Sequence, residues 1–237
     1  MARNTVSHAQ EIFSGNAYKG GHFNGQRGLP RSGVYLMDLG APAALSANGV
    51  INATAVAGAG LVTLNGALVS GGVATLGGNF GRGISIVSSG VGDTTQTVTA
   101  RGFDAYNEPM TETISANGTT TVQGLKAFKR IVSVTASAAF AGNLSVGVND
   151  KLGFGYRLDG NWQIINSFVD GTSEAGTRVF AVTTSPATAI TGDVRGTITP
   201  TTATNGTRNY RVQMIHRAFV SSVTDNIAAF GVAQFAG

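Results

Sequence analysis

Three histidines, twelve carboxylates and no cysteine are the side chains from which this 237-residue chain would have to build catalytic or metal chemistry. His8, His22 and His216 stand apart, with no second histidine at metal-ligand spacing and no HExxH. His216 follows Tyr210, Val212 and Met214 in alternation, which predicts a histidine on a strand face rather than a ligand. No nucleophile elbow, no phosphate-binding glycine loop and no dinucleotide fingerprint is present. Gly81-Arg82-Gly83 runs straight into strand-forming residues.

One close acidic group remains, Asp104, Glu108 and Glu112, in "TARGFDAYNEPMTETISANG" (Thr99 to Gly118). A glycosidase needs two carboxyl groups flanking a bond, and a calcium loop needs alternating acidic ligands. A local account serves better. Asp104 and Glu108 flank a turn at Asn107-Glu108-Pro109, where such residues are favoured for backbone reasons. Glu112 shares a strand face with Met110, with Thr111 and Thr113 opposite. With Arg101, these residues read as fold and interface residues around a hairpin. The expectation is a protein that is not an enzyme, with no catalytic residue, no metal ligand and no cofactor.

The elements that would position these residues follow from composition. Only 12% of the residues are charged, about half the usual share. Glycine contributes 34 residues and threonine 27, while glycine and proline together stay below the share that marks disorder. Threonine and valine favour half-buried pleated surfaces. A net charge of +4 is thin for a nucleic-acid binder, and its densest cluster is Lys126, Lys129 and Arg130, interleaved only by Phe128. No nucleic-acid partner is expected. The N-terminal residues lack a signal-peptide core, and the span from Gly40 to Gly92, charged only at Arg82, is too often broken by Gly, Asn and Thr to cross a bilayer. Neither a membrane partner nor export is expected.

Residues 1–40 read as an extended N-terminal arm without a persistent period, able to reach about 130 Å if fully stretched. Its Phe13, Tyr18, Phe23, Arg27 and Arg31 are the candidate interface anchors, since aromatics and arginine dominate hot spots. Residues 41–237 read as a β-sandwich body. Within it, 41–92 are short Gly/Ala-rich strands and 93–237 the main β core. Asn65-Gly66, between "LVTL" and "ALVS", is a hairpin signal. Later strands are "TQTVTARGF", "MTETISA", "KRIVSVTASA", "NLSVGV", "GYRL", "WQIINSF", "RVFAVTT", "GTITP" and "YRVQMIHRAFV", broken at Asn-Gly, Asp-Gly and Gly-Asn pairs. In the last of these, Tyr210, Val212 and Met214 share one face, and Arg211, Gln213 and Arg217 the other. The tail "NIAAFGVAQFAG" is either a last strand on the core or a strip covered by another subunit. The predicted fold class is all-β, an antiparallel sandwich of jelly-roll or immunoglobulin-like topology.

Residues 83 to 158 resemble a recurring module of tailed-bacteriophage virion proteins. The matching elements are Gly102-Phe103-Asp104-Ala105-Tyr106, Thr111 to Ile114, Asn117-Gly118, Lys126 to Lys129, Val132 to Ala136 and Gly142 to Gly147. Asn107-Glu108-Pro109 departs from that pattern, which carries a simpler glycine turn. The resemblance implies a structural virion component, foremost a capsid decoration (cement) protein on the head exterior, assembled in the host cytoplasm. Its implied partners are the major capsid protein and further copies of itself, a trimer ahead of a dimer. The rival readings are a tail-tube, head-fibre or adhesin subunit, the last using Trp162 and Tyr156 against glycans, and an enzyme acting on polysaccharide.

Overall fold

A computed structural model of the chain describes residues 32–217 and 229–235. It is all-β, 49% strand, with several antiparallel sheets, one of them curled into a half-barrel. In chain order the first strands are β1 (Ser32–Gly40), β2 (Ser46–Ala55), β3 (Gly60–Val62), β4 (Val69–Ser70), β5 (Val73–Thr75) and β6 (Arg82–Ser88). The middle of the chain forms β7 (Thr97–Phe103), β8 (Pro109–Ser115), β9 (Val122–Phe128), β10 (Arg130–Ala136) and β11 (Asn143–Gly153). After a 3-10 turn at Asn161–Gln163 come β12 (Ile164–Val169), β13 (Thr172–Ser173), β14 (Gly176–Val179), β15 (Thr197–Pro200) and β16 (Tyr210–Arg217).

Three sheets result. One has the order β4-β5-β10-β7-β8, with β3 also on β10; a second runs β14-β15-β11-β6-β9, with β2 also on β11. These two six-stranded sheets face each other. Val98, Ala100, Met110, Ile114, Ile131 and Val134 of one pack against Val50, Ile84, Ile86, Leu144, Val146 and Val148 of the other. Full burial of each large aliphatic contributes about 1.5–3 kcal/mol. The third sheet, β1-β16-β12-β13, forms a second core with Met37, Leu39, Tyr210, Val212 and Met214 over Leu152, Phe154 and Ile198. The eleven-residue β11 joins the two cores, with Leu144 to Val148 in the first and Leu152 in the second.

Most of the expected strands form, and β16 has the expected faces: Tyr210, Val212 and Met214 are buried and Arg211 is exposed. Asp170 and Gly171, both at positive φ, make the two-residue β12–β13 hairpin. Three expectations need correction. Residues 32–40, assigned to the arm, are β1, paired with β16 along its length. Their two-residue period is carried by Met37 and Leu39, both buried, between exposed Leu36 and Asp38. Asn65-Gly66 closes no hairpin. Instead Gly66 packs on β2, where an added Cβ would sit 2.2 Å from the Gly49 carbonyl oxygen, and the Asn65 side chain accepts the Asn52 N–H at 2.7 Å. The local hairpin is β4–β5, turned by Gly71 and Gly72 at positive φ. Finally, "GYRL" lies in no strand, and residues 229–235 pack on the body without forming one: the Arg157 N–H donates to the Ala229 carbonyl, and Val232 packs with Ala187 and Val194.

Candidate functional site

Both neighbours of β6 bulge at the same level. On one side Gly83 pairs with Ala127 and Ser85 with Gln123, so Gly124 to Lys126 of β9 face Ile84 alone. On the other, Val148 pairs with Ile84 and Leu152 with Arg82, so Asn149 to Lys151 of β11 face Gly83 alone. Bulges leave backbone groups without ladder partners. Here charged side chains take up those groups, so buried ions gather around β6.

On the β11 side Arg82 is 1% exposed. Its guanidinium donates to the Asn149 carbonyl, to the Ala43 carbonyl at 2.7 Å, to Thr204 Oγ1 at 2.8 Å and to Asp150 Oδ1 at 3.2 Å. Thus the single charge of the Gly40–Gly92 span clamps three distant segments. Burial pulls its pKa down, partly offset by Asp150.

On the β9 side lie Asp104 and Glu112 of the acidic group, with Lys126, Asp193 and Arg195. Asp104 shapes the β7–β8 turn: its Oδ1 accepts the N–H groups of Tyr106 at 2.8 Å and Glu108 at 2.9 Å, while Asn107 takes the left-handed conformation. Its Oδ2 accepts from Arg195 Nη2 at 2.6 Å, and that guanidinium lies 5.0 Å from the Tyr106 ring centroid. Burial lowers the Arg195 pKa, but Asp193 and Asp104 more than offset it, so the net shift is upward.

Glu112 reaches from β8 to the bulge in β9. Its Oε1 accepts the N–H groups of Leu125 and, at 3.2 Å, of Lys126. Gly124 leaves room for it, since a Cβ there would lie 2.7 Å from Glu112 Oε2. Asp193 continues the row: its Oδ2 accepts the Ala127 N–H at 3.1 Å and its Oδ1 the Arg195 N–H at 2.8 Å. Lys126 is fully buried beside them. Lys126 Nζ and Glu112 Oε2 are both buried without a hydrogen-bond partner. Burial pushes the Glu112 carboxyl up to about 7 against the pull of two N–H groups and of Lys151 and Lys126. Burial also lowers Lys126 and Lys151.

Of the charged residues around the expected hairpin, Arg101 and Glu108 are exposed and Asp104 and Glu112 buried. The basic cluster turns inward: Lys126 is buried, Lys129 donates to the Gly78 carbonyl at 2.6 Å, and Arg130 lies 4.4 Å over the Phe103 ring. Trp162 is 56% exposed in the 3-10 turn. Phe13, Tyr18, Phe23, Arg27, Arg31, His8 and His22 lie outside the described residues. Among the described residues no group of three His, Cys, Asp or Glu could hold a metal ion, and no helix is long and apolar enough to cross a membrane. In a depression of about 240 Å³ lined by Leu45, Gln123, Asn149, Asp150, Lys151 and Thr199, the two charged groups are already engaged: Asp150 with Arg82, and Lys151 Nζ with the Gly124 carbonyl.

Sequence reasoning missed Arg82, Asp193 and Arg195. For Glu112 a signal existed, a carboxylate in step with Met110 and Ile114 on the face that became the core. Compared with family models, with curated proteins and with solved structures, the chain matches none.

Proposed function

We propose that this chain is a structural component of a tailed-phage virion, a capsid decoration protein that binds the head exterior and stabilises the shell across capsomer seams. The observation that carries the reading is the use made of the charged residues within the resembling stretch. Asp104, Glu112, Lys126 and Lys129 cap backbone groups or lie buried among them inside a rigid sandwich, as expected of a part that bears load. Supporting it, the third sheet exposes two large aliphatics among polar neighbours such as Asp38, Arg211 and Gln213: Leu36 is 58% exposed and Ile165 50%. Exposed aliphatics rimmed by polar residues suit docking on a larger surface. The partners in this reading are the major capsid protein and further copies of the chain, and Phe13, Tyr18, Phe23, Arg27 and Arg31 supply the arm's anchors.

The test is co-sedimentation of purified protein with heads assembled without it, in unexpanded and expanded states. Saturable binding that raises the rupture temperature of expanded heads is expected, and deleting residues 2–30 abolishes it while the body stays folded. Absence of binding to either state, or normal occupancy by the truncated protein, overturns the reading. The exposed Trp162 ring favours a second reading, a glycan-binding adhesin subunit. Binding on a glycan array that Trp162→Ala removes would establish it.

A further inference from the structure

We propose that the protein forms a covalent cross-link within its own chain, an isopeptide bond between Lys126 Nζ on β9 and Asp193 Cγ in the segment between β14 and β15, with Glu112 of β8 as proton carrier. The inference goes beyond the virion reading and does not depend on it.

Three features point to it. Lys126 is fully buried, its Nζ has no hydrogen-bond partner, and the charges acting on it are those of Glu112 and Asp193. A buried amine without a partner favours its neutral, nucleophilic form. The Asp193 carboxyl, itself 3% exposed, is oriented from both sides by backbone donors, Ala127 N–H on Oδ2 and Arg195 N–H on Oδ1. These donors draw charge from Cγ and can hold the oxyanion of a tetrahedral intermediate. Glu112 keeps Oε2 free while Oε1 is anchored to β9, so its carboxyl has one oxygen available for proton transfer.

The step balances without a co-reactant. The Nζ lone pair adds to Cγ of Asp193, the carbonyl π pair moves to oxygen, and the Glu112 carboxyl hands its proton to the Asp193 oxygen that will depart, ending the sequence as a carboxylate. Glu112 takes a proton from nitrogen and returns it to the departing hydroxyl. The C–O bond breaks, water leaves, and an amide joins Nζ to Cγ. The buried site excludes the water that would reverse the step. The product ties residues 180–196, which contain no strand, to β9. That segment already holds the edge of β8 through the Thr113 N–H to the Ala189 carbonyl at 2.8 Å.

Intact-mass spectrometry of the denatured full chain tests this directly. The expected mass is one water below that of the sequence, and a protease digest yields one branched peptide joining the Lys126 and Asp193 segments. Asp159-Gly160 and Asp170-Gly171 can also lose water by forming a succinimide, and the digest separates those cases. Lys126→Arg and Glu112→Gln are expected at full sequence mass with unchanged circular dichroism, whereas Asp193→Asn loses ammonia in place of water. Wild-type protein at full sequence mass, or a water loss mapped elsewhere, overturns the proposal. Water loss persisting in Glu112→Gln overturns the role of Glu112.

Discussion

Replacing Arg195 by Met removes the cation from a pair in which Asp104 has no exposed surface and Arg195 has 3%. Asp104 then keeps the two N–H groups of Tyr106 and Glu108 on Oδ1, but its Oδ2 is left buried and uncompensated. Breaking such a pair on one side costs about 3–5 kcal/mol. The lost stacking over Tyr106 adds about 0.5–2 kcal/mol, partly recovered by the apolar methionine. A net loss of about 4 kcal/mol lowers Tm by about 8–16 °C for a chain of this size, and moves the urea midpoint by about 1.5–2 M. Thermal unfolding reads the first and equilibrium urea unfolding the second, each followed by tryptophan fluorescence and by circular dichroism. Two comparisons sharpen it. Arg101→Ala, on the exposed side of β7, stays within about 0.5 kcal/mol of wild type. The double variant Asp104→Asn with Arg195→Met loses less than Arg195→Met alone, because no unpaired charge remains. A change below about 1 kcal/mol for Arg195→Met, or a double variant weaker than the single, refutes the view that this pair holds the hairpin to the body.

Two further outcomes follow from the same region. The folded-state pKa of Glu112, about 7, lies above its ordinary value of 4.5, so its protonated form stabilises the fold at low pH and that contribution fades as pH rises through 7. Relative to Glu112→Gln, wild type therefore loses up to about 3 kcal/mol between pH 4.5 and 8; urea midpoints of both proteins across that range check it, and parallel curves would contradict it. Gly124→Ala places a Cβ 2.7 Å from Glu112 Oε2 and 3.0 Å from Oε1, and is expected to cost about 1–3 kcal/mol by calorimetry. An unchanged Tm would mean that the carboxyl moves aside freely.

The turns and faces were legible in the chain because their causes are local. Asp170-Gly171 tolerates positive φ at both positions, and so closes β12 on β13 wherever the hairpin sits. Alternation placed Tyr210, Val212 and Met214 on one side of β16, and threonine and valine richness announced strands. In β8 the same alternation put Glu112 in step with Met110, yet it could not tell that the face would be sealed by the opposing sheet and by residues 180–196. A period of two says which residues share a side, not what covers that side. Arg195 meets Asp104 from 91 positions away, and Arg82 meets Thr204 from 122, distances over which no local pattern carries information. Asn65-Gly66 had the chemistry of a hairpin and became a close contact with β2, because the β-ladder that would have used the turn was claimed by β10. Sequence alone determined an all-β protein and where most of its strands and turns fall. Only the tertiary structure, by setting two bulges against β6, decided that charges expected at a hairpin surface would become the buried ties of the fold.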